Sequence, residues 1–193
     1  MKRNGYSLVE IFVTLTILLS GTLLAIPLAD GIFAGSRIRS AGHEAMVAFV
    51  LARQDAVRSG KQTAVRFETS PGGYRMTLYR DGNGNGVRNS EITNGIDRSV
   101  RSIFWERGDV RIGILHNVRV PDPADPSRAL SNANDPVRFN ESNLCSFSSL
   151  GECTPGSIYL TDGKRRMAVV RVYNRTGKIR VLYFTAGDRR WES

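Results

Sequence analysis

Between Tyr6 and Ala29 the chain carries one charged side chain, Glu10. An apolar run of roughly 20 residues is long enough to cross the hydrocarbon core of a bilayer as a helix. A helix also satisfies its backbone polar groups without help from water. No other stretch of the 193 residues constrains the fold as strongly, and it predicts a single membrane-spanning helix over residues 6–29. Lys2 and Arg3 stand just before the run, and no basic residue follows until Arg37. The positive-inside rule therefore leaves residues 1–5 in the cytoplasm and exports the rest.

Two details do not suit an ordinary anchor. A secretory signal has a shorter apolar region that ends in small residues and a cleavage site. Here the small-residue junction, Gly5, lies before the run, so a cut there removes the basic leader and keeps the helix. The second detail is Glu10. A carboxylate in a spanning segment costs roughly 2.5–3.5 kcal/mol at the bilayer centre, less near the end, and marks a function with a partner. A new α-amino group at Tyr6, on the same chain or a neighbour's, supplies one.

The stretch Gly5-Tyr6-Ser7-Leu8-Val9-Glu10 resembles the processing motif of type IV prepilins and type II secretion pseudopilins. In that family Gly is followed by an aromatic (usually Phe, so Tyr6 departs mildly), a small polar residue, two aliphatics and Glu. The resemblance implies cleavage between Gly5 and Tyr6 by a prepilin peptidase and N-methylation of Tyr6. It also implies that Glu10 pairs with a neighbouring subunit's N-terminus during assembly. The bland alternative is a plain N-terminal anchor with an incidental Glu.

Beyond residue 30 the pattern turns amphipathic. Ile38, Ala45, Phe49, Ala52 and Ala56 recur at helical spacing, with Met46, Val50 and Val57 beside them, and Gly60 supplies a stop. The spacing predicts one helix from Tyr6 to about Ser59. His43, within it, reads as a surface or boundary residue. After it come only strand signals: 62–68, 74–80, 98–105, 109–115, 137–139, 157–161, 167–173 and 178–184, with a turn at 70–73. Residues 121–136, with four prolines, read as an irregular surface loop. The expected fold is α+β, a long N-terminal helix packed against an antiparallel β-sheet domain. The expected segments are a leader over 1–5, an assembly helix over 6–29, an amphipathic continuation over 30–60 and a β-rich exported domain over 61–193.

Ala52-Arg53 with Ala56 on the helix, Gly156-Ser157-Ile158-Tyr159-Leu160, and Thr176-Gly177-Lys178-Ile179-Arg180 are similar to the GspH/FimT branch of minor pilins and pseudopilins. Members often end with Gly-Arg-x-Arg, and here Lys178 stands for the first Arg. Residues 81–136 match little in that branch. The resemblance implies a type IV pilin-like fold with two packed sheets or one strongly curved sheet beside the helix.

Three constellations remain. Cys145 and Cys153 are eight apart; in an exported domain they read as a disulfide closing a short loop. Two separate thiols or a metal pair is the alternative, without CxxC spacing or further ligands. Asp81, Asn83 and Asn85, with Gly86 next, match the first half of a calcium loop. The closing carboxylate position, 92, is Ile, and Glu91 falls one place early. The alternative is a Gly/Asn turn. Finally, the chain carries a net charge of +9, and basic residues crowd its last thirty positions, among them Lys178, Arg180, Arg189 and Arg190. With Tyr173, Tyr183 and Trp191 nearby, they could neutralise phosphates and stack on bases. In some FimT-like proteins this region is linked to DNA uptake. The alternative is a solvated sheet edge guarded by Lys and Arg.

No enzymatic constellation emerges. His43 and His116 lack a nucleophile or carboxylate set, Gly156-Ser157-Ile158 is not a nucleophile elbow, and no phosphate-binding loop is present. The reading is a structural minor pilin or pseudopilin, single-pass in the inner membrane with its C-terminal domain outside, built into a type IV pilus or a secretion pseudopilus at the initiating tip. Its partners would be other pilin or pseudopilin subunits and the peptidase. A DNA-binding minor pilin of natural transformation is the alternative.

Overall fold

The computed structural model describes residues 7–193 except 71–72, 107–109, 117 and 174; for 21–32, 70, 73 and 104–106 it describes the backbone alone. The described residues fall into two compact units, one ending at Ser36 and one running over Arg37–Ser193. Helix α1 runs over Leu8–Ser59, close to the predicted limits. Gly5 and Tyr6, the predicted cleavage and methylation positions, lie outside the described residues. Among the described residues no helix is long and apolar enough to cross a membrane. The predicted span over 6–29 extends beyond Ser20, the last residue of its first part whose side chain is described.

The second half of α1 is built for close approach. Ala41, Ala45, Ala48, Ala52 and Ala56 are all fully buried. Their spacing keeps them on one face of the helix. Small side chains let β-strands come near the helix axis. Gly42 takes this furthest, since a Cβ there would lie 2.8 Å from Val181 Cγ1. The large residue on that face is Phe49, whose ring meets Phe67, Phe139 and Phe147 at centroid distances of 5.4, 5.6 and 6.4 Å.

The rest of the chain forms β1 (Thr63–Ser70), β2 (Gly73–Arg80), α2 (Asn89–Thr93), β3 (Arg98–Glu106), β4 (Arg111–Ile112), β5 (Val137–Arg138), β6 (Leu144–Phe147), β7 (Gly156–Thr161), β8 (Arg166–Val172) and β9 (Ile179–Thr185). Two antiparallel sheets result, the first of the two expected arrangements. One has the order β3-β2-β1-β6; the other has β4-β7-β8-β9, with β5 also paired to β7. Both contribute to one core with α1, through Val65, Tyr74 and Met76 from the first sheet and Ile158, Leu160, Ala168 and Val170 from the second. The Tyr74 hydroxyl donates to the Ala41 carbonyl at 3.5 Å, tying β2 to the helix.

Two departures from the sequence reading matter. The proline-rich loop is more than surface. With the residues just before it, it covers the outer face of the second sheet, where Ile114, Leu115 and Val120 join Tyr159, Met167, Val169 and Phe184 in a second core. Trp191 closes that core, donating from Nε1 to the Pro121 carbonyl at 2.7 Å. The strand predicted at 109–115 shrinks to two residues, because beyond the Gly113 N–H bond to Tyr159 O the chain leaves the sheet to build this cover. The other departure is α2 with β6, neither of which was expected as an element.

Candidate functional site

The described part of the predicted assembly helix presents its apolar side chains outward. Leu8, Phe12 and Ile17 are 83%, 70% and 66% exposed, and Glu10 is exposed among them. An apolar surface of this extent is characteristic of a face that other molecules cover.

The glycine-rich loop gathers the residues singled out for calcium, but around hydrogen bonds. The Asp81 carboxylate accepts from the N–H groups of Asn83 (3.1 Å), Gly84 (2.8 Å) and Gly86 (2.8 Å). Burial opposes the charge of Asp81, yet these three donors outweigh it and hold the carboxyl below its ordinary value. Asp97 is also buried and accepts from Gly82 and Arg88 N–H. The side-chain amides of Asn83 and Asn85 both donate to Glu91 Oε1, at 3.3 and 2.8 Å. Glu91 comes from α2, which explains how a carboxylate one place early still reaches the loop. A cation would need both amides to turn their oxygens inward. Among the described residues no group of three or more His, Cys, Asp or Glu side chains is placed to hold a metal ion. The loop is a turn closed by its own side chains.

Cys145 and Cys153, the pair read as a disulfide, are both buried. Cys153 bridges to Phe147, two residues beyond Cys145 on β6, so the two cysteines are diagonal neighbours. Burial pushes both thiols above their ordinary value, Cys145 the more strongly.

The C-terminal basic residues do not form one cluster. Lys178 and Arg180 are at the start of β9, whereas Arg189 and Arg190 follow its end, and all four are exposed. At about 3.3 Å per residue, the strand holds the two pairs well over 10 Å apart. A tighter group surrounds Tyr173, with the Arg171 and Arg180 guanidinium carbons 4.8 and 6.0 Å from the ring centroid.

Sequence reasoning passed over two polar anchors on α1. Asp55 accepts from Arg80 Nε at 3.0 Å and from Thr63 Oγ1 at 2.9 Å, and pairs with Arg80 Nη2 as well. The Arg80 bonds hold the Asp55 carboxyl below its ordinary range. Arg53 reaches under the Cys145–Cys153 loop. A Cβ at Gly151 would come within 3.2 Å of Arg53 Nε, and one at Gly177 within 3.2 Å of Nη1. Gly177 also has φ +76°, a conformation that favours glycine. The glycine of the Gly177-Lys178-Ile179-Arg180 run is therefore required by the backbone and by an arginine on the helix. A signal existed: Arg53 and Asp55 interrupt an otherwise alanine-rich stretch.

The model of the family described as type II transport protein GspH matches residues 41–177. Two solved structures of the minor pseudopilin EpsH from the type 2 secretion system of Vibrio cholerae are similar in fold. One is 14% identical with a TM-score of 0.44, covering 78% of this chain and 98% of that one. The other is 15% identical with a TM-score of 0.41, covering 79% and 96%. No curated protein matches the chain. The family match spans most of the chain, from Ala41 on α1 through both sheets to Gly177 just before β9, and the chain belongs to the GspH family of type II transport proteins.

Proposed function

We propose that this chain is a structural minor subunit of a type II secretion pseudopilus, made as a single-pass inner-membrane precursor. A prepilin peptidase cuts it between Gly5 and Tyr6, and Tyr6 is N-methylated. The apolar helix then leaves the bilayer for the filament, where Glu10 pairs with a neighbour's N-terminus. A minor subunit of this kind acts at the initiating tip, with its β domain turned outward. The observation that carries the reading is the GspH match over 41–177 joined to an exposed apolar helix at residues 8–19. The role is one of assembly, not catalysis.

Mass spectrometry of the chain extracted from cells that hold the peptidase tests processing. The expected product begins at Tyr6 and carries one methyl group. An intact Met1 overturns the processing step.

The second reading, DNA binding, draws support from the pairing of Arg171 and Arg180 about Tyr173. It predicts retention on DNA that weakens steeply with salt and falls in Arg180→Ala. Absence of retention at low salt removes it.

A further inference from the structure

Strand β9 is an edge: among the described residues it is bonded to β8 and to no other strand. Its outer side is not uniform. Tyr183 exchanges both backbone bonds with Glu192, at 2.7 and 2.9 Å. Thr185 N–H donates to the Asp188 carboxylate, and its carbonyl accepts from Asp188 N–H. Outward-facing backbone groups recur every second residue in a strand. Ile179 and Val181 therefore aim their N–H and C=O groups the same way, and among the described residues no bond to them from that side is present. The chain's own tail caps one half of the edge and leaves the other half open.

The open half borders a groove. Gly177 and Ile179 form one wall; Met46, Val50, Arg53 and Val57 of α1 form the other, around a volume of about 720 Å³. Val50 and Val57 are 38% and 54% exposed. The side chains of Lys178 and Arg180 are exposed on the opposite face of the strand from Ile179 and Val181. A strand added here would lay alternate side chains on the α1 groove and on Lys178 and Arg180.

We infer that the open half of β9, at Ile179 and Val181, receives an extended segment of a neighbouring pseudopilin subunit, with apolar residues alternating with acidic ones. This rests on the proposed pseudopilus reading. Unpaired backbone rungs are satisfied by a strand, not a helix. The basic pair selects acid, and the residues already capping the other half, Asp188 and Glu192, are acidic. A second copy pairing β9 with β9 would set Lys178 and Arg180 against their own like charges.

A photo-crosslinking residue at position 180 of the full chain, in cells carrying the secretion apparatus, tests this. A second photo-crosslinker, at position 18 of the apolar helix, reports general assembly. The expected result is an adduct from position 180 to an acidic segment of another pseudopilin. Val181→Pro should cut that adduct about tenfold, a change of about 1.4 kcal/mol, and leave the adduct from position 18 intact. Proline removes an outward N–H while sparing the β8 ladder, which edge strands tolerate. Lys178→Glu, which touches no backbone bond, should lower the same adduct and guards against misfolding of the proline variant. An adduct from 180 indifferent to both changes, or formed only with a second copy of this chain, overturns the inference. So does its absence while position 18 still crosslinks. Absence of pseudopilin adducts from both positions defeats the pseudopilus reading itself.

Discussion

The two halves of helix α1 follow one backbone geometry and opposite rules of composition. Residues 8–20 carry large apolar side chains, Leu, Ile, Phe and Val, and the described ones are exposed. From Ile38 to Ala56 the inward face is mostly alanine, fully buried under two sheets. Large residues suit a surface whose covering arrives from elsewhere, because each contributes much apolar area when buried. Small residues suit a surface whose covering is already in the chain and must fit tightly. The two halves should accordingly fail in different assays: one in folding, the other in assembly.

Phe49→Ala should have the largest effect on folding. It removes a fully buried ring packed among three others and should cost about 3–5 kcal/mol in chemical denaturation. Gly156→Ala comes next. Its Cβ would sit 2.2 Å from the Arg138 carbonyl oxygen and 2.4 Å from Phe139 Cδ1, so β5 must move away from β7. Overpacking of this kind costs about 1–3 kcal/mol, read in the same way.

Asp55→Ala should cost a similar or smaller amount, about 1.5–3 kcal/mol, by leaving Arg80 and Thr63 without their acceptor. This pair also sets an acid dependence. The folded-state Asp55 carboxyl ionises below its ordinary value of 3.8, and Asp81 shifts the same way. The unfolded chain thus binds more protons as pH falls, so stability present at neutral pH is lost from about that value downward. Asp55→Ala should flatten part of that loss in denaturation curves taken between neutral and acid pH. Leu15→Ser, in the exposed half, should move the denaturation midpoint least, by less than about 0.5 kcal/mol. Its effect belongs to assembly. A large drop in folding stability for Leu15→Ser would break the contrast between the halves.

Much of this architecture was legible in the sequence, and the gaps have physical causes. The apolar run, the helical spacing from Ile38 to Ala56 and the alternation in β1 and β2 report local geometry, which side-chain period encodes directly. The cover over the second sheet does not alternate, and the bonds that tie it to the sheet and to Trp191 are to residues distant in sequence. Yet the strands beneath it announced the need. Ile158-Tyr159-Leu160 and Met167-Ala168-Val169-Val170 are continuous apolar runs, the mark of strands buried on both faces. One face had α1, so the other needed residues 113–136. The calcium pattern is ambiguous for a related reason. Oxygen-bearing side chains at alternate positions serve a cation or a self-closed turn equally well, and backbone N–H groups took the Asp81 oxygens. The cysteine spacing likewise gave proximity but not register: the pairing of Cys153 with Phe147 makes the two cysteines diagonal neighbours. The Asp55–Arg80 pair joins residues from a helix and a strand: the polar break in the alanine stretch marks Asp55, but no local pattern names its partner.

Glu10→Leu, followed through both folding and incorporation, tests the central claim most directly. The substitution keeps the helix apolar and removes only the carboxylate. The account predicts an unchanged denaturation midpoint for the variant and about tenfold or greater loss from the purified pseudopilus fraction, a deficit of at least about 1.4 kcal/mol in assembly. Incorporation equal to that of the unsubstituted chain would contradict it.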